Sequence, residues 1–405
     1  MSRIKIQSRG EGKAPLPFMC QNCEHPECAL VCPTGARRKD HRTGLVPFEK
    51  DLCVGCKMCL LACSHAGLIF DQEDSRFFVC DLCGNEPACV DVCAHGALAL
   101  RDVQPLMEGL KDKDDLISPG LAACQGCGGE WVLRFTVKVL GPNTVIGLPP
   151  CCMSASGVVG FGTNTGAKIP ITFTHLGNAA AMMAGVKYHF QRQHRDVNVV
   201  AFAGDGGTAD IGLQALSAAG ERGDNIIYVC YDNEAYMNTG IQRSGTTPQG
   251  CWTTTTPVGQ VSRGKRQTSK NLPLIMLAHN LPYMATACSA YPEDLMEKLE
   301  KAKKVKDGLS YIHVLAPCPI GWRFPPEDTV KVARLAVETN VFPLWEAYNG
   351  KVRITKKVEF PKPIETYTKM MGRYSHLTRE EIADMQKAAD EHYEKLLALM
   401  AHQGI

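Results

Sequence analysis

The sequence predicts an α/β protein in which a parallel-sheet domain follows a small cysteine-rich domain. Two observations carry this expectation. β-Branched runs, VNVVAFAG at 197–204 and NIIYVCYD at 225–232, flank TADIGLQALSAAGERG at 208–223, whose apolar residues recur at helical spacing. Strand, helix and strand, with the strands apolar on both faces, is the repeating unit of a parallel sheet. The second observation is that 12 of the 20 cysteines fall between Cys20 and Cys93. Disulfide frameworks belong to short secreted chains. This chain has 405 residues, and its opening, MSRIKIQSRGEGKAP, lacks the apolar core of a secretory signal. A cytoplasmic location is expected, and clustered thiols there indicate metal.

Composition narrows the partners. At 45% hydrophobic and 21% charged residues, the chain is globular and long enough for two or three cores. The 44 Lys and Arg nearly cancel the 42 Asp and Glu, which argues against nucleic acid or an anionic membrane as a partner. No apolar run approaches the ~18 residues that span a bilayer, so no membrane insertion is expected. Residues 1–105 read as the cysteine-rich domain and 106–120, ending at Pro119-Gly120, as a linker. Residues 121–345 read as the α/β domain and 346–405 as a largely helical C-terminal extension. Within the extension, 377–402 has the pattern of an amphipathic helix, with Thr378 as N-cap and Glu380 and Glu381 in the first turn.

The N-terminal thiols form three tetrads: Cys20, Cys23, Cys28 and Cys32; Cys53, Cys56, Cys59 and Cys63; Cys80, Cys83, Cys89 and Cys93. Each begins C-x2-C and ends C-x3-C. Three closely spaced thiolates can wrap one corner of an iron–sulfur cubane, while the fourth is carried toward a neighbouring cluster. Zinc, the rival, favours two pairs separated by a longer loop, often with histidine. The spacing favours iron–sulfur.

In the α/β domain, the strand at 197–203 runs into Gly204-Asp205-Gly206-Gly207. A carboxylate at the carboxyl end of a buried strand sits where open α/β sheets bind ligands. The glycines let backbone N–H groups approach phosphate oxygens, the following helix presents its positive end, and the carboxylate suits Mg²⁺. Alone this signal is weak. Asn233, 28 residues after Asp205, ends the next apolar strand, so one crossover brings the two to the same sheet edge.

The Gly-Asp-Gly segment followed at this distance by Asn resembles the thiamine diphosphate motif. The resemblance implies that Asp205, Asn233 and the backbone carbonyl of Ala235 supply the protein's ligands to Mg²⁺. Together with CQGCG at 124–128, YDNEAYMNTGIQRS at 231–244 and TTPQG at 246–250, it is similar to the β subunit of pyruvate:ferredoxin oxidoreductases, within the 2-oxoacid:acceptor family. That family implies a proximal [4Fe-4S] cluster on Cys124, Cys127, Cys152 and Cys318, with the adjacent Cys151 leaving the third ligand open between two residues. It also implies that Asn238 lies over the thiazolium and hydrogen-bonds the substrate or intermediate, and that His175 lies near the cofactor. The N-terminal region resembles the ferredoxin-like electron-transfer subunits of redox complexes. Their pairing implies Cys20, Cys23 and Cys28 with Cys63, and Cys53, Cys56 and Cys59 with Cys32, leaving the third tetrad to hold a cluster alone. Only Cys32 is followed by the usual proline, Pro33; Ser64 and Ala94 follow Cys63 and Cys93.

The expected activity is coenzyme A-dependent oxidative decarboxylation of a 2-oxoacid, pyruvate-like, aryl or branched, using thiamine diphosphate, Mg²⁺ and four [4Fe-4S] clusters. The residues after the linker contain a single diphosphate signature. The pyrimidine domain and its activating Glu are therefore expected from an α-type subunit, with a γ-type subunit and a ferredoxin, or a flavin or NAD(P) subunit, as further partners. Two alternatives stay open: an electron-transfer subunit with a non-catalytic α/β domain, and a non-oxidative decarboxylase. Cys230, Cys251 and Cys288 read as packing residues, since free cysteine is usually buried as a small hydrophobe.

Overall fold

A computed structural model of the chain describes residues 5–7, 16–23, 26–40, 43–63, 67–71, 76–85, 88–92, 114–156, 166–358 and 360–401. The chain divides into two compact units, Met1–Val103 and Gln104–Ile405. In the first, β1 (Lys5–Gln7) pairs antiparallel with β2 (Leu16–Phe18), and β3 (Ile69–Asp71) with β4 (Arg76–Phe78). Its helices are single turns, Glu27–Leu30, Met58–Ala62 and Ala88–Asp91. The buried core among the described residues is Cys28, Val46, Cys59, Leu68 and Phe77, with Phe48 edge-on to Phe77 at 5.1 Å. Two of those five residues are thiols of the tetrads.

The second unit is built on an eight-stranded sheet of order β12-β11-β9-β10-β8-β7-β5-β6. β5 (Thr144–Leu148), β6 (Ile171–Phe173), β7 (Asn198–Gly204), β8 (Ile227–Asp232), β9 (Tyr283–Cys288) and β10 (Ser310–Leu315) run parallel. Both faces are covered, as the unbroken apolar strands predict. Along β7, Val200 and Phe202 enter one core with the helices Gly128–Leu140 and Pro292–Lys304. The intervening Val199, Ala201 and Ala203 enter the other, with Ala179–Arg192 and Leu213–Arg222. The strand period of two thus divides one sequence run between two cores.

Two features differ from the sequence reading. Part of the segment read as a linker belongs to the second unit: Ile117 is fully buried in its core, and Ser118 N–H donates to Gly166 O at 2.7 Å. Arg134 secures the stretch, bonding Asp115 at 3.1 Å and the carbonyls of Ile117 and Ser118. Residues 106–113 lie outside the described residues. The boundary drawn after 345 falls inside β11 (Leu344–Tyr348), which turns through Asn349-Gly350 into β12 (Lys351–Lys356), both strands antiparallel to their neighbours. Asn349 and Gly350 have φ of 46° and 77°. Asn-Gly between alternating apolar residues is a strong hairpin signal, so the extension contributes an edge of the sheet as well as helix.

The terminal helix Arg379–Ala401 begins as the sequence predicts. Thr378 N–H donates to the Glu381 carboxylate at 2.8 Å and Glu381 N–H donates to Thr378 Oγ1 at 3.2 Å, a reciprocal capping box. Leu396 seals this helix to the second core. Among the described residues no helix is long and apolar enough to cross a membrane.

Candidate functional site

Parallel strands end together, and here the residues singled out by sequence follow their carboxyl ends. Cys151 and Cys152 lie beyond β5, Asp205 directly after β7, Asn233 directly after β8 and Cys318 three residues after β10. His175 follows β6 and is exposed, as is Asn238 in the loop after Asn233. This is the edge at which open α/β sheets bind ligands.

Asp205 is 1% exposed and Asn233 7%. Ser244 Oγ donates to Asp205 Oδ2 at 2.5 Å, and Thr246 Oγ1 lies 3.0 Å from both Asp205 Oδ2 and Asp232 Oδ1. Burial first, and then the negative charge of Asp232, push the Asp205 carboxyl far above its usual range. The Asn233 amide nitrogen donates to Ala235 O at 2.9 Å and to Asp205 Oδ1 at 3.0 Å. Turned over, the amide would bring its oxygen to the same point, an arrangement that only a hard cation would favour. The glycines fit tightly. A Cβ on Gly206 would lie 2.4 Å from the Tyr236 ring, and one on Gly207 would press on Leu176 at 3.2 Å. The chain leaves Gly204 into a π-helical turn, Gly207–Ile211, before the helix resumes at Leu213.

The second group at this edge is sulfur. Gly126 has φ of 69°, and a Cβ there would strike Pro326 O at 2.6 Å; one on Gly128 would strike Ala316 at 2.8 Å. These two glycines let the Cys124–Cys127 turn close onto the backbone on both sides of Cys318, at Ala316 before it and Pro326 after it. Burial, then the thiols of Cys318, Cys127, Cys151 and Cys124 in that order, drive the Cys152 thiol strongly upward. Cys318, pushed up to about 11, feels burial and then Cys127 and Cys124. Cys151 is the N-cap of the turn Cys152–Ala155, its backbone N–H donating to Ser154 Oγ at 2.9 Å and its carbonyl accepting from the same hydroxyl at 2.8 Å. Cys230, Cys251 and Cys288 are buried, as their apolar contexts predict.

The N-terminal thiols also gather by position. Cys32, Cys53, Cys56 and Cys59 line one small cavity together with Arg37. Burial first, and then the thiols of Cys28 and Cys63, push the Cys23 thiol upward. Cys80, Cys83 and Cys89 are described; Cys93 lies outside the described residues. Among the described residues no three His, Cys, Asp or Glu side chains converge tightly enough to share one metal ion. A cubane makes a different demand, since it holds its thiolates at separate corners.

Residues 151–314 match the family described as thiamine pyrophosphate enzyme, C-terminal TPP binding domain, and residues 14–103 match the 4Fe-4S dicluster domain. The chain is 45% identical to the β subunit of NADH-dependent phenylglyoxylate dehydrogenase from Aromatoleum evansii, over 100% of this chain and 92% of that one. It is 50% identical to pyruvate synthase subunit PorB of Methanothermobacter thermautotrophicus, over 69% of this chain and 96% of that one. Ketoisovalerate oxidoreductase subunit VorB of Pyrococcus horikoshii is 43% identical over 69% of this chain and 92% of its own. The chain belongs to the β subunits of the 2-oxoacid oxidoreductase family. It is thus the subunit that carries the thiamine diphosphate-binding domain, joined here to an iron–sulfur domain.

One group in this β subunit escaped sequence reasoning. Glu234, between Asn233 and Ala235, has φ of 65° and its carboxylate pairs with Arg373 at 2.5 Å. Both side chains are almost fully buried. The Arg373 guanidinium stacks on Trp322 at 3.8 Å, and Trp322 Nε1 donates to Asn233 O at 2.8 Å. Burial raises the Glu234 carboxyl and the Arg373 charge opposes that rise. The segment carrying Arg373, in the C-terminal extension, therefore braces the loop between the two oxygen-bearing residues. Nothing local in RYSH marks it, because its partner is 139 positions earlier in the chain.

Arg373→Leu should leave Glu234 buried without a counter-charge and cost on the order of 3–5 kcal/mol of stability. The double variant Arg373→Leu/Glu234→Gln should recover part of that loss. Equilibrium denaturation of the two against wild type measures it; a loss below about 1 kcal/mol for the single variant contradicts the bracing role.

Proposed function

We propose that this β subunit carries the thiamine diphosphate and Mg²⁺ half of a cytoplasmic 2-oxoacid oxidoreductase. The reaction converts a 2-oxoacid and coenzyme A into acyl-CoA, CO₂, two electrons and a proton. The observation that carries this reading is the meeting of Asp205, the Asn233 amide and the Ala235 carbonyl at the carboxyl edge of the sheet, with the end of the amide 2.9 Å from Ala235 O and 3.0 Å from Asp205 Oδ1. With the amide oxygen turned inward, the three would supply hard oxygen ligands of the kind Mg²⁺ takes. Gly204, Gly206 and Gly207 are proposed to bring backbone N–H groups to the diphosphate oxygens, and Asn238, exposed at the same edge, is suited to hydrogen-bond the substrate carboxylate. When bound, thiamine diphosphate supplies the electron sink for loss of CO₂, and the clusters accept the released electrons one at a time.

Cys124, Cys127, Cys152 and Cys318 are proposed to hold the proximal [4Fe-4S] cluster. The crowding of the buried Cys152 thiol by Cys318 and Cys127 favours it over Cys151 as third ligand. Buried thiols crowded together resist ionisation, and iron supplies the positive charge that reverses this. The cavity shared by Cys32, Cys53, Cys56 and Cys59 supports the exchanged pairing, with Cys20, Cys23, Cys28 and Cys63 as the other set. The third tetrad, Cys80, Cys83, Cys89 and Cys93, would hold the fourth cluster, for about 16 irons per chain. An α-type subunit with the activating Glu and a γ-type subunit complete the enzyme. The matched length shared with a subunit named as NADH-dependent favours a flavin or NAD(P) subunit over free ferredoxin as acceptor.

The assembled complex should reduce viologen with 2-oxoacids, tested with phenylglyoxylate, pyruvate and 3-methyl-2-oxobutanoate, only when coenzyme A is present. Turnover independent of coenzyme A, or an aldehyde product, rejects the reading. Cys152→Ser should lose about four irons per chain, whereas Cys151→Ser should keep them; iron analysis decides, and the reverse result exchanges the two roles. Mg²⁺ must displace the proton favoured on Asp205, whose carboxyl is raised. Apparent Mg²⁺ affinity should therefore climb with pH until that carboxyl is ionised in the free protein, and then level off. Calorimetric titration across pH checks the sign, and a flat profile in Asp205→Asn checks its origin.

A further inference from the structure

Arg37 is 1% exposed, yet only part of its guanidinium is used. Nη2 donates to Val46 O at 3.2 Å; Nε and Nη1 are buried with no hydrogen-bond partner among the described residues. A dry, partnerless pair of charged N–H donors is costly, so its position matters. The side chain lines the cavity it shares with Cys32, Cys53, Cys56 and Cys59. Its backbone N–H, with those of Thr34 and Ala36, also feeds the Cys32 thiol. The positive charge bears on Cys59 and, across in the other set, on Cys20.

We propose that Arg37 is a potential-setting residue: its two unpartnered N–H groups donate to the sulfurs of the cluster held by Cys32, Cys53, Cys56 and Cys59. This rests on the cluster assignment above. Reduction adds one electron to that cluster and no proton, while Arg37 stays charged throughout. The added negative charge is stabilised by a fixed cation and by hydrogen bonds to sulfur, both of which raise a cluster's reduction potential. Arg37 therefore makes this cluster a preferred resting place for the electron, relative to a cluster ligated by thiolates without such donors. Its charge reaches the neighbouring set more weakly, through space.

The test is a redox titration of the whole complex followed by electron paramagnetic resonance, with iron content measured in parallel. Wild type should show the N-terminal cluster signals; their absence at low iron rejects the cluster assignment itself. Arg37→Met should lower one midpoint by at least a tenfold change in the reduction equilibrium, about 59 mV for one electron. Arg37→Lys, which keeps the charge and loses the planar fork, should fall between the two. If Arg37→Met does not assemble its cluster, Arg37→Lys decides alone: a lowered midpoint supports the role. Full iron content with wild-type midpoints in either variant overturns it.

Discussion

Asp205, the Asn233 amide and the Ala235 carbonyl meet in the interior of this β subunit, and much of the local structure exists to keep them there. Asp205 and Asn233 reach the meeting point because β7 and β8 are adjacent and parallel. Ala235 reaches it because Glu234 takes a left-handed conformation. That conformation is unfavourable for a residue with a side chain, and the buried pair with Arg373 holds it. Trp322 ties the same loop to the turn that follows Cys318. The oxygen site and the sulfur site are thus held by one set of contacts, and a change in either loop is felt by the other.

The parts of this arrangement written in local pattern were legible in sequence. Unbroken apolar runs forecast strands buried on both faces, and the alternate residues of β7 do enter separate cores. The spacing of Asp205 and Asn233 needed only one crossover to be read as a shared edge. Thr378 and Glu381 form the cap their spacing suggests. What escaped was long-range. Arg373 looks like an ordinary surface cation until its partner is known. Ile117 sits in a charged stretch that reads as a linker, and only its bridge to Ala167 explains its burial. The Asn349-Gly350 hairpin is a different failure. Its turn signal is local, but a boundary placed after 345, with the extension taken as largely helical from the pattern at 377–402, split the hairpin.

The cysteines show the same division. Spacing separates ligand candidates from packing residues cleanly, because Cys230 and Cys288 lie in strands where period and burial leave no access to a cluster. Spacing could not separate Cys151 from Cys152, which are adjacent. In the structure both pack with Cys127 against the same core, and Cys152 is the one whose thiol Cys318 and Cys127 raise most directly after burial. Iron content of the two serine variants is what separates them.

These sites share one electrostatic condition, which links cofactors to folding. Asp205 is raised by burial and Asp232, and Cys152 by burial and neighbouring thiols, so without cations both favour the protonated form. On the function proposed above, metal and proton would compete for these atoms, and binding would release protons and add its energy to the folded state. In the N-terminal unit Cys28 and Cys59 belong to the described core, so thiols proposed to hold clusters are also part of what that unit packs against. In the α/β unit three large apolar clusters hold the sheet, and Cys127, Cys152 and Cys318 only pack against their margins, so the sheet does not depend on those thiols for its core.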